Sequence, residues 1–180
     1  MREKISVQEL CQIGVFTAII VACAQIAIPL PGGVPLTLQT WGISLAGMVL
    51  GAKNGAIAAI VYLLLGAVGA PVFASFTGGM GIVLGPTGGF ILSFPLMAYL
   101  AGWGERKGKV IWLVAGLVAG TAANFAVGML YLSWVMSVSS AVAFTLAVAP
   151  FIPTAIIRVA LLPVLGRSIK AVMTKARVGI

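Results

Sequence analysis

Residues 110–135 read VIWLVAGLVAGTAANFAVGMLYLSWV, a stretch of 26 residues without one charged side chain. A transmembrane α-helix needs about 20 consecutive, mainly apolar residues to cross the hydrocarbon core of a bilayer. The stretch is long enough for that, and the charged run ERKGK at 105–109 marks where it begins. This segment alone predicts a membrane-spanning helix.

The rest of the chain has the same character. Of its 180 residues 61% are hydrophobic and only 8% are charged, and the mean hydropathy is +1.18. A soluble globular domain has about a quarter of its residues charged, so that class is excluded. The composition predicts an all-α membrane protein, a single domain covering residues 1–180.

Glycine, proline and charge divide the chain into spans. The segment from Pro29 to Pro35 contains three prolines, which lack the backbone donor that a helix interior requires. Lys53 and Asn54 indicate a tight turn, and residues 71–89 and 137–149 form uncharged connections. The pattern predicts six transmembrane helices, at about 7–28, 36–51, 55–70, 90–103, 110–135 and 150–166.

The positions of the cations predict the orientation of these spans. In a six-span arrangement ten Lys and Arg residues fall on one side of the membrane and none on the other, whereas five or seven spans would split them. They are Arg2, Lys4, Lys53, Arg106, Lys107, Lys109, Arg167, Lys170, Lys175 and Arg177. The positive-inside rule makes that side cytoplasmic, so both termini are expected inside. The net charge of +8 then reflects topology and not nucleic-acid binding.

The ionisable residues exclude several kinds of function. The chain has no His and no Asp, and its three acids lie near a charged terminus or loop: Glu3, Glu9 and Glu105. Acid–base catalysis and proton-coupled transport both need a titratable group at the site. Gly108-Lys109 is no phosphate-binding loop, because Trp103 stands where that motif requires glycine. We expect neither an enzyme nor ATP hydrolysis by this chain, and no metal or cofactor.

One cation lies inside a predicted span. Arg158 falls in the first half of the last helix, where an arginine costs at least about 2.5–3.5 kcal/mol on insertion scales. Either it snorkels outward or bonds backbone carbonyls, or its counter-charge arrives with an anionic ligand. No carboxylate of this chain is expected to pair with it, because all three acids lie near a charged terminus or loop. The sequence favours the ligand.

Small residues follow single faces of two helices. Gly116, Gly120, Asn124 and Gly128 recur every fourth residue, with Tyr131 three further on. They form either a packing stripe or a polar pocket around Asn124. On the first helix a second stripe has the same spacing and serves either internal packing or docking of another membrane subunit; it consists of Gly14, Ala18 and Ala22.

Several motifs together resemble one family. They are VPLTLQT at 34–40, YLLLGAVGAPVF at 62–73, GGMG at 78–81, LGPTGGF at 84–90 and PFIP at 150–153. The chain is thereby similar to the BioY family, the biotin-binding S components of energy-coupling-factor (ECF) vitamin transporters. The resemblance implies a six-helix bundle in a prokaryotic plasma membrane that captures biotin from outside. It also implies partners, a transmembrane coupling protein and two ABC-type ATPases.

For a substrate-binding component of this kind, we predict the following site residues. Arg158 would supply charge, Asn124 and Gln39 polar contacts, Tyr131 a wall or a hydroxyl, and Thr154 would join them one turn before Arg158. The loop from Pro29 to Gln39 would cover the substrate. The Ala18 and Ala22 stripe, with Gly14, would dock on the coupling protein.

One position departs from the family pattern. After Pro-Phe-x-Pro, family members typically continue with Gly-Asp and a Lys three residues later, whereas this chain has Ala155 and Arg158. The missing acid would weaken recognition of the ureido N–H groups of biotin. Biotin remains the expected ligand, and lipoate, a carboxylate without such donors, is the alternative. A self-sufficient homo-oligomeric facilitator that needs no ATPase is a further alternative.

Overall fold

The computed structural model describes residues 6–30 and 33–178, with side chains up to residue 173. Seven α-helices follow one another along this part of the chain: α1 (Val7–Gln25), α2 (Gln39–Ala67), α3 (Met80–Val83), α4 (Gly88–Arg106), α5 (Val110–Met136), α6 (Ser140–Ala147) and α7 (Ile152–Val178). Some positions of the sequence analysis lie outside the described residues or have undescribed side chains, namely Arg2, Glu3, Lys4, Pro31, Gly32, Lys175 and Arg177.

Helix α1 begins and ends on local signals. The Ser6 hydroxyl accepts from the Glu9 amide at 3.2 Å, and the Glu9 carboxylate accepts from the Ser6 amide at 2.9 Å, which is a capping box. The helix ends at Gln25, earlier than the predicted Ile28. The reason is a short antiparallel pairing of strand β1 (Ala27–Ile28) with strand β2 (Leu36–Thr37). Both strands occupy positions predicted as helix, and α2 begins at Gln39 and not at Leu36.

Helix α2 folds back on itself. The side-chain amide of Gln39 donates to the Tyr62 hydroxyl at 2.5 Å, although 23 residues separate them and a straight helix would rise about 34 Å over that distance. The reversal is at Gly51, whose φ of 83° and ψ of 171° are not helical. The chain therefore turns two residues before the predicted Lys53-Asn54, where glycine permits a positive φ.

Helix α4 packs between α2 and α5. Glycines allow the backbones to approach: a Cβ at position 102 would lie 2.3 Å from the Ala52 nitrogen, and one at position 116 would lie 2.4 Å from the Leu100 oxygen. A Cβ at position 120 would lie 3.1 Å from the Met97 oxygen, and one at position 128 would lie 2.2 Å from the Phe90 ring. The packing alternative for the Gly116 stripe is therefore correct for its glycines. The largest cluster of buried side chains joins α1, α2 and α4 and includes Ile20, Ile43, Tyr62, Phe94 and Met97.

The C-terminal part of the chain is more helical than predicted. The connection expected at 137–149 contains α6, which follows the left-handed Ser137 (φ 51°). Helix α7 continues past the predicted end at Gly166. Its polar extension has partners, since Arg167 and Lys170 contact the carboxylate of Glu105 at 3.4 Å and 3.2 Å.

The helices are apolar enough for a membrane. Among the described residues, four helical stretches meet the length and hydropathy of a span: Val7–Gln25, Gln39–Ala67, Val110–Met136 and Ser140–Met173. The second contains both arms of α2, and α4 is not one of the four. The protein is thus a mainly helical molecule with several candidate spans.

Candidate ligand cavity

A cavity of about 320 Å³ lies at the end of the bundle away from Glu105. This volume is at the lower end of the range found for small-molecule sites. Polar side chains from β2, α2, α5 and α7 face it together with five phenylalanines. The lining residues include Thr37, Gln39, Phe73, Ser75, Thr77, Phe90, Phe94, Asn124, Phe125, Phe151, Thr154, Ala155 and Arg158.

Among the described residues that line the cavity, Arg158 is the one that carries a charge. Its side chain is 2% exposed, and its Nη2 donates to the Thr121 hydroxyl at 2.6 Å. Its Nε has no hydrogen-bond partner in the described part of the chain. The described carboxylates are engaged elsewhere, Glu9 by Ser6 and Glu105 by basic residues of α7. The guanidinium therefore retains donors that an anionic ligand in the cavity can use.

Asn124 presents an acceptor to the cavity. Its Nδ2 donates to the Phe90 carbonyl at 3.0 Å and to the Ser93 hydroxyl at 2.7 Å. Because the Phe90 carbonyl can only accept, the amide nitrogen of Asn124 must face α4, and both of its hydrogens are used. The Oδ1 atom accepts from no described residue, and it is the group that Asn124 can offer to a donor on a ligand.

Gln39 and Thr154 also lie on the cavity wall. Gln39 is held at both ends, since its Nε2 donates to Tyr62 and its Oε1 accepts from the Thr37 hydroxyl at 2.9 Å. The Thr154 hydroxyl donates to the Phe151 carbonyl at 2.9 Å, which leaves its oxygen free to accept. Both side chains are thus oriented by their neighbours before any ligand binds.

Tyr131 is the exception among the five predicted site residues. It is absent from the residues that line the cavity, and its hydroxyl donates to the Val83 carbonyl at 3.3 Å. A Cβ at position 89 would lie 2.4 Å from the Cβ of Tyr131, so this residue packs behind the start of α4. Its contact with a ligand stays a prediction, and Tyr131 is not among the described residues that line the cavity.

Sequence reasoning missed two parts of the site. Phe151 could have been added to the predicted Thr154 and Arg158, because it shares their face of the last helical segment at spacings of three and four. The aromatic walls and the contact from Thr121 to Arg158 depend on packing between helices. No local sequence pattern indicates these walls or this contact.

The small-residue stripe on α1 lies at the protein surface. Gly14, Ala18 and Ala22 are all exposed, and a Cβ at position 14 would have no atom within 4 Å. The buried face of α1 is the opposite one, with Ile13, Phe16 and Ile20. Of the two interpretations of the stripe, internal packing therefore does not apply to the described chain.

Comparison with known proteins agrees with these features. Residues 1–175 match the BioY family model. The biotin transporter BioY of Thermotoga maritima is 44% identical over 71% of this chain and 75% of its own length. The probable biotin transporter BioY of Pyrococcus horikoshii is 39% identical over 85% of this chain and 90% of its own length.

The fold has a counterpart among solved structures. The crystal structure of the S component for biotin from an ECF-type ABC transporter superposes with a TM-score of 0.84 and 27% sequence identity, covering 95% of each chain. The predicted resemblance is thereby confirmed. The relatives are named as transporters, so the expectation of a transport protein and not an enzyme is also confirmed.

Proposed function

The chain belongs to the BioY family, and from this membership and the geometry of the cavity we propose that it is the biotin-binding S component of an ECF-type importer. One observation carries the proposal: the buried cation Arg158 lies at a cavity of small-molecule size, and no described carboxylate pairs with it. A vitamin that carries a carboxylate supplies the missing charge.

The other lining groups suit the remainder of biotin. The Oδ1 of Asn124 accepts a hydrogen bond from a ureido N–H, and Gln39 and Thr154 lie near enough to the same cavity to add polar contacts. The phenylalanines enclose the apolar ring and chain. Such a site, mainly apolar with a few fixed polar groups, is the usual form of a small-molecule pocket.

We infer that the protein crosses the membrane six times, with both termini in the cytoplasm of a prokaryotic cell. The spans are α1, the two arms of α2, α4, α5 and α7. The charged contacts of Glu9 with Asn54 and of Glu105 with Arg167 lie at one end of the bundle, and the cavity lies at the other. The positive-inside rule then directs the cavity outward.

Transport requires partners under this proposal. The sequence has no phosphate-binding loop, so two ABC-type ATPases and a transmembrane coupling protein provide the driving force. The exposed stripe of Gly14, Ala18 and Ala22 allows close approach of another helix and is the docking surface for the coupling protein.

Lipoate is the second candidate because of Ala155. This residue lines the cavity three positions before Arg158, where the family pattern has an aspartate. Without that acid the site has one acceptor fewer for a ureido ring. Lipoate has a carboxylate for Arg158 and an apolar dithiolane that needs no acceptor.

Binding of labelled biotin and labelled lipoate to one purified sample tests the proposal. We expect saturable binding of biotin at one site per chain, with lipoate weaker. Tighter binding of lipoate than of biotin would make lipoate the proposed ligand and leave the proposed site unchanged. Absence of binding for both compounds would contradict the proposed function.

A further inference from the structure

One wall of the cavity has an unusual backbone. Phe73, Ala74, Ser75 and Thr77 line the cavity from the connection between α2 and α4. Ser75 has φ 56° and ψ 38°, and the next residue, Phe76, also has φ 56°. Two consecutive left-handed residues that are not glycine are rare, above all when one is aromatic. Such a conformation persists only where its surroundings enforce it.

The hydrogen bonds inside the segment close the turn but do not attach it. The Phe73 amide donates to the Thr77 carbonyl at 2.9 Å, and the Thr77 hydroxyl donates to the Ala74 carbonyl at 2.8 Å. Both bonds join residues of the same short loop. Phe73, which is 1% exposed, fixes the start of the loop through its ring, whose centroid lies 5.5 Å from that of Tyr62. The backbone at the two left-handed residues needs a further contact to hold it against the cavity.

Gln25, the last residue of α1, supplies that contact with both ends of its amide. Its Nε2 lies 3.2 Å from the Phe73 carbonyl, 3.4 Å from the Val72 carbonyl and 3.2 Å from the Val21 carbonyl of its own helix, so its two hydrogens are shared among these acceptors. Its Oε1 accepts from the amide of Phe76 at 2.8 Å. One side chain thus binds the loop on both sides of Ser75, and Gln25 itself is absent from the cavity lining.

We propose that Gln25 is a positioning residue: from the end of α1 it holds the Val72–Thr77 segment in its left-handed form and thereby sets how long the ligand stays bound. The proposal rests on the proposed function for the identity of the ligand. The structural role of Gln25 concerns only the backbone of this segment and is independent of which ligand binds. Gln25 also follows Ala22 by three residues on α1, so the helix with the exposed stripe is the one that holds the cavity wall.

The main test compares Gln25→Met with Gln8→Met. Met has similar length and makes no such hydrogen bonds, and Gln8 is an exposed glutamine on the same helix. We expect Gln25→Met to release labelled biotin about tenfold faster, the effect of losing one or two net hydrogen bonds.

A second substitution separates positioning from a general loss of contacts. Phe76 is exposed and does not line the cavity. In the double variant with Phe76→Gly the release rate should return to within about threefold of the wild type, because glycine adopts a positive φ without a side-chain penalty. The proposal would be overturned if Gln25→Met released biotin at the wild-type rate. It would also be overturned if the double variant released biotin as fast as Gln25→Met alone.

Hydrogen exchange keeps the test independent of the ligand. In ligand-free protein the amides of residues 72–77 should exchange about tenfold faster in Gln25→Met than in Gln8→Met, since the Phe76 amide loses its acceptor. Equal exchange would refute the role of Gln25 even if the protein bound neither biotin nor lipoate. Should Gln25→Met not fold, Gln25→Asn keeps the amide, shortens its reach and carries the same expectations.

Discussion

The guanidinium of Arg158 is held by the hydroxyl of Thr121, with Nη2 donating to Oγ1 at 2.6 Å from α7 to α5. The Thr121 hydroxyl gives its own proton to the Leu117 carbonyl at 2.7 Å, so toward Arg158 it can only accept. Arg158 is thereby oriented without being neutralised. A buried cation in this state retains its full attraction for an anion that enters the cavity.

Replacement of Arg158 by alanine should abolish tight binding. Loss of one member of a buried charge pair costs about 2–5 kcal/mol, so the affinity for biotin should fall at least about thirtyfold in ligand titration. Biotin methyl ester, which lacks the charge, should bind the wild type weakly and lose little further in Arg158→Ala. Arg158→Lys keeps the charge but loses the planar guanidinium, so its biotin affinity should lie between those of the wild type and Arg158→Ala. Undiminished biotin binding by Arg158→Ala would remove this residue from the site.

Thr121 offers a test of the orientation itself. Thr121→Val removes the hydroxyl at nearly constant volume and leaves Nη2 of Arg158 buried without its partner, which costs about 1–3 kcal/mol. We expect a lower melting temperature and biotin affinity reduced about tenfold. Thr121→Ser retains the hydroxyl and serves as the control. Equal affinity in both variants would show that the contact does not orient Arg158.

The sequence was sufficient for those features that depend on composition and spacing. Uninterrupted apolar stretches predicted membrane helices, and Arg158, Asn124, Gln39 and Thr154 could be found because polar residues are exceptional in such a chain. The fold-back of α2 was predicted within two residues, since Gly51 lies beside the charged Lys53. These signals are local, and tertiary packing does not override them.

Other features depend on distant contacts and could not be predicted. Tyr131 follows the same periodic stripe as Asn124, but it packs against the two glycines that begin α4 and is not among the described residues that line the cavity. Helix α6 replaces an expected loop because its apolar side chains Ala143 and Ala147 find a buried cluster with Leu132. A periodic pattern predicts which residues share one face of a helix, but it does not predict which other helix packs against that face.

Ala155 should control the choice of ligand. Ala155→Asp restores the acid of the family pattern on the cavity wall and offers a charged acceptor to ureido N–H groups. A hydrogen bond to a charged group contributes about 1.5–3 kcal/mol, so the ratio of lipoate to biotin dissociation constants should rise about tenfold or more. Parallel titrations with both ligands measure that ratio.

The matched control at this position is Ala155→Asn. It has the size of aspartate without the charge and should raise the ratio less. If Ala155→Asp weakens both ligands equally, the new carboxylate pairs with Arg158 and does not meet the ureido ring. That result would contradict the proposed placement of the ligand.

The exposed stripe on α1 should serve transport and not ligand binding. Ala18→Leu places a bulky side chain on a face of α1 that no described residue covers, so the fold and biotin binding should not change. Close approach of a partner helix needs small residues, and the substitution should block it. In liposomes that contain the coupling protein, the two ATPases and ATP, we expect biotin uptake to fall at least about tenfold.

Ala119→Leu, at an exposed alanine of α5, controls for added bulk in the membrane. Full uptake by Ala18→Leu would disprove docking at this stripe, and uptake by the protein alone without ATP would favour a self-sufficient facilitator.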